Sequence, residues 1–226
     1  VAIVAGSDRA AYSDNGITWT AATISSAYNW ISVTYGEGRF VAVAGGSNRA
    51  AYSDNGITWT VATLPANDAW ASVTYGEGMF VAVANSDVAA YSDNGITWTA
   101  ATLPGSLAWN SVTYGEGRFV AIAGSSMAAY SDDGITWTAS TMPSVANWSC
   151  VTYGEGSFVA IASNSTSTAY TTPPPPPTNW NDTTLPFSSE WYSVTYGLGR
   201  FVAVGSLPNV AAYSDDGITW TAATTV

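Results

Sequence analysis

β-Branched and aromatic residues alternate with small or polar ones along most of the chain, as in Ser32-Val-Thr-Tyr-Gly36 and Arg39-Phe-Val-Ala-Val-Ala-Gly45. A period of two sends successive side chains to opposite faces of a strand, and no stretch carries the longer period of an amphipathic helix. Gly-Glu-Gly and Asp-Asn-Gly triplets interrupt the alternation and supply tight hairpin turns. The pattern predicts groups of four short antiparallel strands, of the type SVTYG, RFVAVAG, RAAYSD and ITWTAAT.

These groups repeat. YSDNGITWT occurs at Tyr12–Thr20, Tyr52–Thr60 and Tyr91–Thr99, and YSDDGITWT begins at Tyr130 and Tyr213. A damaged copy runs from Tyr170 to Trp180, its register fixed by the match of Trp137–Pro143 to Trp180–Pro186. The motif tryptophans at 19, 59, 98, 137, 180 and 220 are spaced by 40, 39, 39, 43 and 40 residues, a propeller-like period. SVTYG-type segments start at Ser32, Ser72, Ser111, Cys150 and Ser193, so six tryptophan motifs face five opening strands. The expectation is one all-β domain over 1–226, a six-bladed β-propeller with four-stranded antiparallel blades. Its units are approximately 1–25, 26–65, 66–104, 105–143, 144–186 and 187–226, the first lacking its innermost strand. A start within a repeat reads as a processed or excised piece of something longer, and residues upstream of Val1 are expected to complete the first blade.

Within each motif the aspartates Asp14, Asp54, Asp93, Asp132 and Asp215 are expected to close the turn by accepting backbone N–H groups, with glycine at positive φ. Each motif tryptophan is expected to fill the space between adjacent sheets. The pattern resembles the Asp box of the BNR repeat family, known from sialidases, related glycan-processing propellers and bacterial and phage surface proteins. The resemblance covers nearly the whole chain and implies a propeller scaffold, since the family's boxes are scaffold turns.

The formal charge of −11, with five arginines and no lysine or histidine, repels phosphate backbones and anionic lipid heads, which argues against nucleic acid and membrane surfaces as partners. No apolar run is long enough to span a bilayer, and direct membrane insertion is not expected. The single cysteine, Cys150, excludes an internal disulfide and reads as a small buried side chain. Carboxylate-rich turns at Asp132-Asp133 and Asp215-Asp216 lack the remaining ligands of a calcium loop, so no metal and no cofactor are expected.

The resemblance to sialidases implies an arginine cluster, a tyrosine–glutamate pair and an acid–base aspartate. Arg39, Arg118 and Arg200 instead share one repeat position, as do Arg9 and Arg49, and the enzyme motif is not carried over. Glu37, Glu77, Glu116 and Glu155 also repeat and are expected to form a solvated acidic ring. Asp68 and Glu190 are carboxylates that stand outside the repeated turns in variable loops. With no catalytic residues assigned, the chain is expected not to be an enzyme.

Self-comparison separates constant from variable connections. The Gly-Glu-Gly and Asp-box turns barely change, whereas the links between second and third strands and between successive blades differ freely. Antiparallel order puts the two kinds at opposite ends of each sheet. The variable end is therefore the expected binding face. Its candidate ligand contacts are Tyr28, Trp30, Trp70, Trp109, Trp148, Trp191 and Tyr192, with inter-blade packing the competing role for the five repeated tryptophans. The Pro173–Pro177 run is expected to be an outward insertion. The expected function is non-catalytic recognition through this face of a glycan, or of a surface protein, as in lectin-like adhesion or phage receptor binding. A structural role in association with other subunits of a larger assembly is the alternative, and a glycosidase the third. The expected location is extracellular, on a cell surface or on a virion surface.

Overall fold

The computed structural model describes residues 1–172, 179–206 and 210–223; Pro173–Pro177 lies outside them. Every regular element among the described residues is a β-strand. The chain divides into two compact units, 1–106 with 134–136, and 107–133 with 137–226.

The first unit holds β1 (Ala2–Ile3), β2 (Ala5–Tyr12), β3 (Thr20–Gly36), β4 (Arg39–Ser53), β5 (Thr60–Gly76), β6 (Met79–Ala84), β7 (Val88–Ser92) and β8 (Thr99–Thr102). They form one eight-stranded antiparallel sheet in sequence order, where the repeat predicts separate four-stranded groups. The cause is local. The hairpins at Gly6 and Gly46, both at positive φ, are long enough for their far sides to pair with the segment leading into the next repeat, through Ser7↔Tyr28 and Ser47↔Asp68. Strands β3 and β5 therefore run through the predicted boundaries: β3 pairs with β2 over Thr20–Asn29 and with β4 over Trp30–Gly36.

The second unit holds β9 (Trp109–Gly115), β10 (Arg118–Ala123), β11 (Met127–Ser131), β12 (Thr138–Thr141), β13 (Trp148–Gly154), β14 (Ser157–Ala162), β15 (Ser165–Thr171), β16 (Trp180–Ser189), β17 (Trp191–Gly197), β18 (Arg200–Gly205), β19 (Ala211–Ser214) and β20 (Thr221–Ala223). These make three four-stranded antiparallel sheets, each with its strands in sequence order.

Packing follows the same rule in both units. In unit 1, Val41 and Val43 of one repeat lie fully buried with Trp70, Val73, Phe80 and Ala82 of the next. In unit 2, Val159 and Ile161 pack in the same way with Trp191, Val194 and Phe201. The opening strands of neighbouring repeats come closest at a glycine. A Cβ on Gly36 would lie 2.0 Å from the Tyr75 ring, one on Gly115 2.1 Å from Tyr153, and one on Gly154 2.2 Å from Tyr196. Polar groups tie the same strands: Val73 N–H donates to Ser32 Oγ and Val151 N–H to Ser111 Oγ, both at 3.1 Å. Cys150, in the serine slot, contacts the Val194 carbonyl at 3.7 Å, and burial pushes its thiol pKa up, away from the reactive thiolate.

Trp59, Trp137, Trp180 and Trp220 are buried as predicted, and Trp98 is half-buried. Trp19 departs from the pattern at 51% exposure. In unit 2, Val202 and Val204 of β18 are exposed where their counterparts in other repeats are buried, and Gly197 has nothing within 4 Å of a Cβ.

Candidate functional site

The two ends of each sheet differ in how their side chains are used. At the constant end, Glu37, Glu77, Glu116 and Glu155 take φ of 47–50° and are followed by glycines at φ 74–77°, the two left-handed residues of a type I′ hairpin. These glutamates are not simply solvated. Tyr75 OH donates to Glu37 Oε1 at 2.9 Å, Tyr196 OH donates to Glu155, and Tyr153 is hydrogen-bonded to Glu116. Burial, the bond to Glu116 and the charges of Glu116 and Glu155 together push the Tyr153 phenol up to about 12.

The Ser-Asp-Asn-Gly turn is closed by a different residue from the one predicted. In the second repeat Asn55 Oδ1 accepts the N–H groups of Ile57 and Thr58 at 2.9 Å, while Ser53 Oγ accepts that of Gly56 at 2.8 Å. Asn15, Asn94 and Asp216 do the same in their repeats. Burial raises the Asp216 pKa, but the N–H donors of Thr219 and Ile218 with the hydroxyls of Ser214 and Thr219 outweigh it, and the net shift is downward. Asp14, Asp54, Asp93, Asp132 and Asp215, assigned turn closure from the sequence, are exposed instead. Three of them pair with the arginine of their own repeat: Arg39–Asp54 at 2.7 Å, Arg118–Asp132 at 2.5 Å and Arg200–Asp215 at 2.6 Å. Each guanidinium also lies over a tyrosine of its repeat, Tyr52, Tyr130 or Tyr213. Each of these arginines thus fastens the two constant turns of its own repeat to each other.

At the variable end a shared backbone frame carries different side chains. Asn85, Gly124, Ser163 and Ser206 each donate an N–H to a carbonyl just before the opening strand of their own repeat, those of Ala69, Ala108, Asn147 and Glu190, at 2.9–3.0 Å. Two carboxylates recur on this frame: Ser86 Oγ donates to Asp68 Oδ2 and Ser206 Oγ to Glu190 Oε2, both at 2.7 Å. In unit 2, Asn164, Ser188, Ser189, Glu190 and Ser206 line an open depression of about 330 Å³. Glu190 is the only one of these singled out from the sequence. The others lie in or beside the variable segments, but no spacing rule brings three separate segments together.

The candidate ligand contacts divide sharply. Trp30, Trp70, Trp109, Trp148 and Trp191 are 0–1% exposed, which removes them as ligand contacts and makes them packing residues. The indole N–H of Trp30, Trp70, Trp148 and Trp191 donates to the carbonyl four residues upstream. A β-bulge follows each of these tryptophans, and it keeps the indole inward while turning the next side chain aside. In unit 2 the bulge side chains Asn110 and Ser149 donate to the carbonyls of Trp148 and Trp191 in the next repeat, at 2.8 Å. Tyr192 occupies this bulge position in its repeat and is 58% exposed. Tyr28 is half-buried, edge-on to Trp30, with the Arg49 guanidinium 5.9 Å from its ring.

No family model matches the chain, and no curated protein matches it. Solved structures do. Virginiamycin B lyase from Staphylococcus aureus superposes with a TM-score of 0.75 at 15% identity, over 85% of this chain and 68% of the lyase. YCF48 bound to D1 peptide gives 0.71 at 16% identity, over 96% and 75%. A nidogen/laminin complex gives 0.69 at 9% identity, over 94% and 87%. The lyase corrects the sequence-based expectation that this chain is not an enzyme: a framework of this kind carries an active site, so the paucity of catalytic side-chain types does not decide the question. One lyase structure is a catalytically inactive histidine-to-alanine variant, and this chain contains no histidine, so no lyase residue is transferred to it. At these identities what the chain shares with its neighbours is the fold, and that fold is the β-propeller.

Proposed function

We propose that the chain is a recognition module of the Asp-box propeller type that binds glycans through the variable ends of its sheets. In this reading the eight-stranded sheet counts as three blades merged by their long hairpins, and the three four-stranded sheets are three more, making one six-bladed domain. The observation that carries the reading is the division of labour between the two ends. At the constant end arginine, aspartate, glutamate and tyrosine side chains are largely engaged with one another. At the variable end a repeated backbone bond presents side chains that differ from copy to copy. Hydroxyls, amides and an exposed tyrosine at that end suit uncharged sugars, and the net charge of −11 disfavours anionic ones. Display at a cell or virion surface fits such a ligand. Binding to a glycan array tests the proposal: the folded protein is expected to retain neutral oligosaccharides in preference to sialylated ones, and an array with no retained sugar contradicts it.

A second reading, docking to a protein partner in a larger assembly, is favoured by two of the structural neighbours, one bound to a peptide and one present as a protein complex. Mass measurement in solution separates the readings. A monomer that binds sugar supports the first, and a defined oligomer without sugar affinity supports the second.

A further inference from the structure

The depression in unit 2 is built from three segments that the fold brings together. Asn164, at φ 57°, comes from the hairpin between β14 and β15; Ser188, Ser189 and Glu190 from the junction of β16 and β17; and Ser206 from the end of β18. Ser189 is only 7% exposed, and its Oγ is buried without a hydrogen-bond partner among the described residues. Gly205 makes room for it, since a Cβ there would lie 3.0 Å from that oxygen. Leaving a buried hydroxyl unpaired costs about 1–3 kcal/mol, and folded proteins leave few such groups unless something outside the chain completes them.

Glu190, which is exposed, keeps a free acceptor in the same place. Its Oε2 accepts from Ser206, while Oε1 has no partner among the described residues. The matching device in unit 1 is saturated: Asp68 Oδ2 accepts from Ser86, and Oδ1 accepts the N–H of Ala69, both at 2.7 Å. One copy of the carboxylate–serine pair is thus closed on itself, whereas the other keeps an exposed carboxylate oxygen free beside the hollow, with the buried Ser189 hydroxyl packed behind its lining against Gly205.

We infer that this hollow is a sugar subsite, with Glu190 and Ser189 as its central contacts. The inference rests on the glycan reading above and gives it a location. The chemistry selects the ligand class. A sugar hydroxyl both donates and accepts, so it satisfies Glu190 Oε1 as a donor and takes the Ser189 hydroxyl hydrogen and an Asn164 amide N–H as an acceptor. An anion is repelled by Glu190. A cation accepts nothing and leaves the amide and hydroxyl hydrogens unused. An apolar group strips water from all five residues without replacing it. The volume of about 330 Å³ falls at the small end of the ~300–1,000 Å³ range of ligand sites.

The test uses the full chain, the neutral oligosaccharide most strongly retained on a glycan array, calorimetry for affinity, and urea unfolding for stability. Ser189→Ala is expected to weaken binding roughly five- to tenfold, and Glu190→Gln, which keeps an acceptor for Ser206 but loses the charge, roughly tenfold or more. Ser189→Ala is also expected to unfold at a urea concentration no lower than the parent, because it deletes a buried unsatisfied group. A Ser189→Ala protein that is less stable than the parent makes the hydroxyl structural and overturns the inference. A parent that binds the oligosaccharide while both variants bind equally well also overturns it, and leaves the glycan reading standing with its site elsewhere. A parent that binds no sugar removes the reading and the subsite together.

Discussion

Substituting alanine at two glycines of the same repeat motif should give opposite results. Gly115 and Gly197 both end an opening strand, and neither has a positive φ, so alanine is conformationally allowed at each. At Gly115 the new methyl would meet Tyr153 Cγ at 2.1 Å and its Cδ atoms at 2.4 and 2.5 Å. Carbon atoms rest at about 3.5–4.0 Å, so the ring or the strand must move by about 1.5 Å. The ring is held on two sides, by Phe158 at a centroid distance of 5.0 Å and by the hydrogen bond to Glu116. Overpacking costs about 1–3 kcal/mol, and loss of the aromatic pair adds about 0.5–1.5 kcal/mol. Restricting the unfolded chain returns about 0.4–1 kcal/mol. The net loss for Gly115→Ala therefore spans about 0.5–4 kcal/mol and centres on about 2 kcal/mol, a fall of about 0.7 M in urea midpoint for a slope of about 3 kcal/mol/M. At Gly197 nothing stands within 4 Å, and only the unfolded-state gain remains. Gly197→Ala should leave the midpoint unchanged or raise it slightly. Tryptophan fluorescence during urea unfolding reads both. Equal midpoints for the two variants would refute the claim that glycine–tyrosine contact joins the repeats.

Asn55→Ala should destabilise by about 1–2 kcal/mol, because two backbone N–H groups lose their acceptor; Asp54→Ala, which removes only an exposed ion pair, should move the same urea midpoint far less. Tyr153 gives a pH signature. A phenol whose folded pKa is raised from 10 to about 12 contributes stability that is fully present below pH 10 and lost as the pH rises through 12, so alkaline unfolding in that window should lessen in Tyr153→Phe. Trp70→Ala should cost about 3–5 kcal/mol in a urea titration, as expected of a fully buried indole, and a near-neutral result would restore it as a candidate surface contact.

The repeat made much of the fold legible. Turn triplets and period-two alternation located the strands, and the recurring motif tryptophans marked where sheets pack. The residue that closes the repeated turn was misassigned because two polar residues stand side by side in Ser-Asp-Asn-Gly. Only geometry tells that Asn55 faces back onto the turn while Asp54 faces Arg39. Recurrence was itself the signal that Trp30 and its counterparts belong to the interior, since a side chain that every copy needs is a packing residue before it is a ligand contact. The merging of strands in unit 1 was hidden, because it depends on hairpins at Gly6 and Gly46 that differ only slightly in length from that at Asn85–Asp87. The Ser189 subsite was hidden for the same kind of reason: its residues are 164–206 in sequence and meet only through strand pairing.

Hydrogen exchange of the amides, read by mass spectrometry with and without the best-retained neutral oligosaccharide, tests the central claim that the variable end binds while the constant end fastens. Slowed exchange is expected in peptides covering Ser163–Ser167 and Phe187–Trp191, with no change across the turns at Asp54–Thr58 and Asp93–Thr97. Slowed exchange at those constant turns, with the variable segments unaffected, would contradict it.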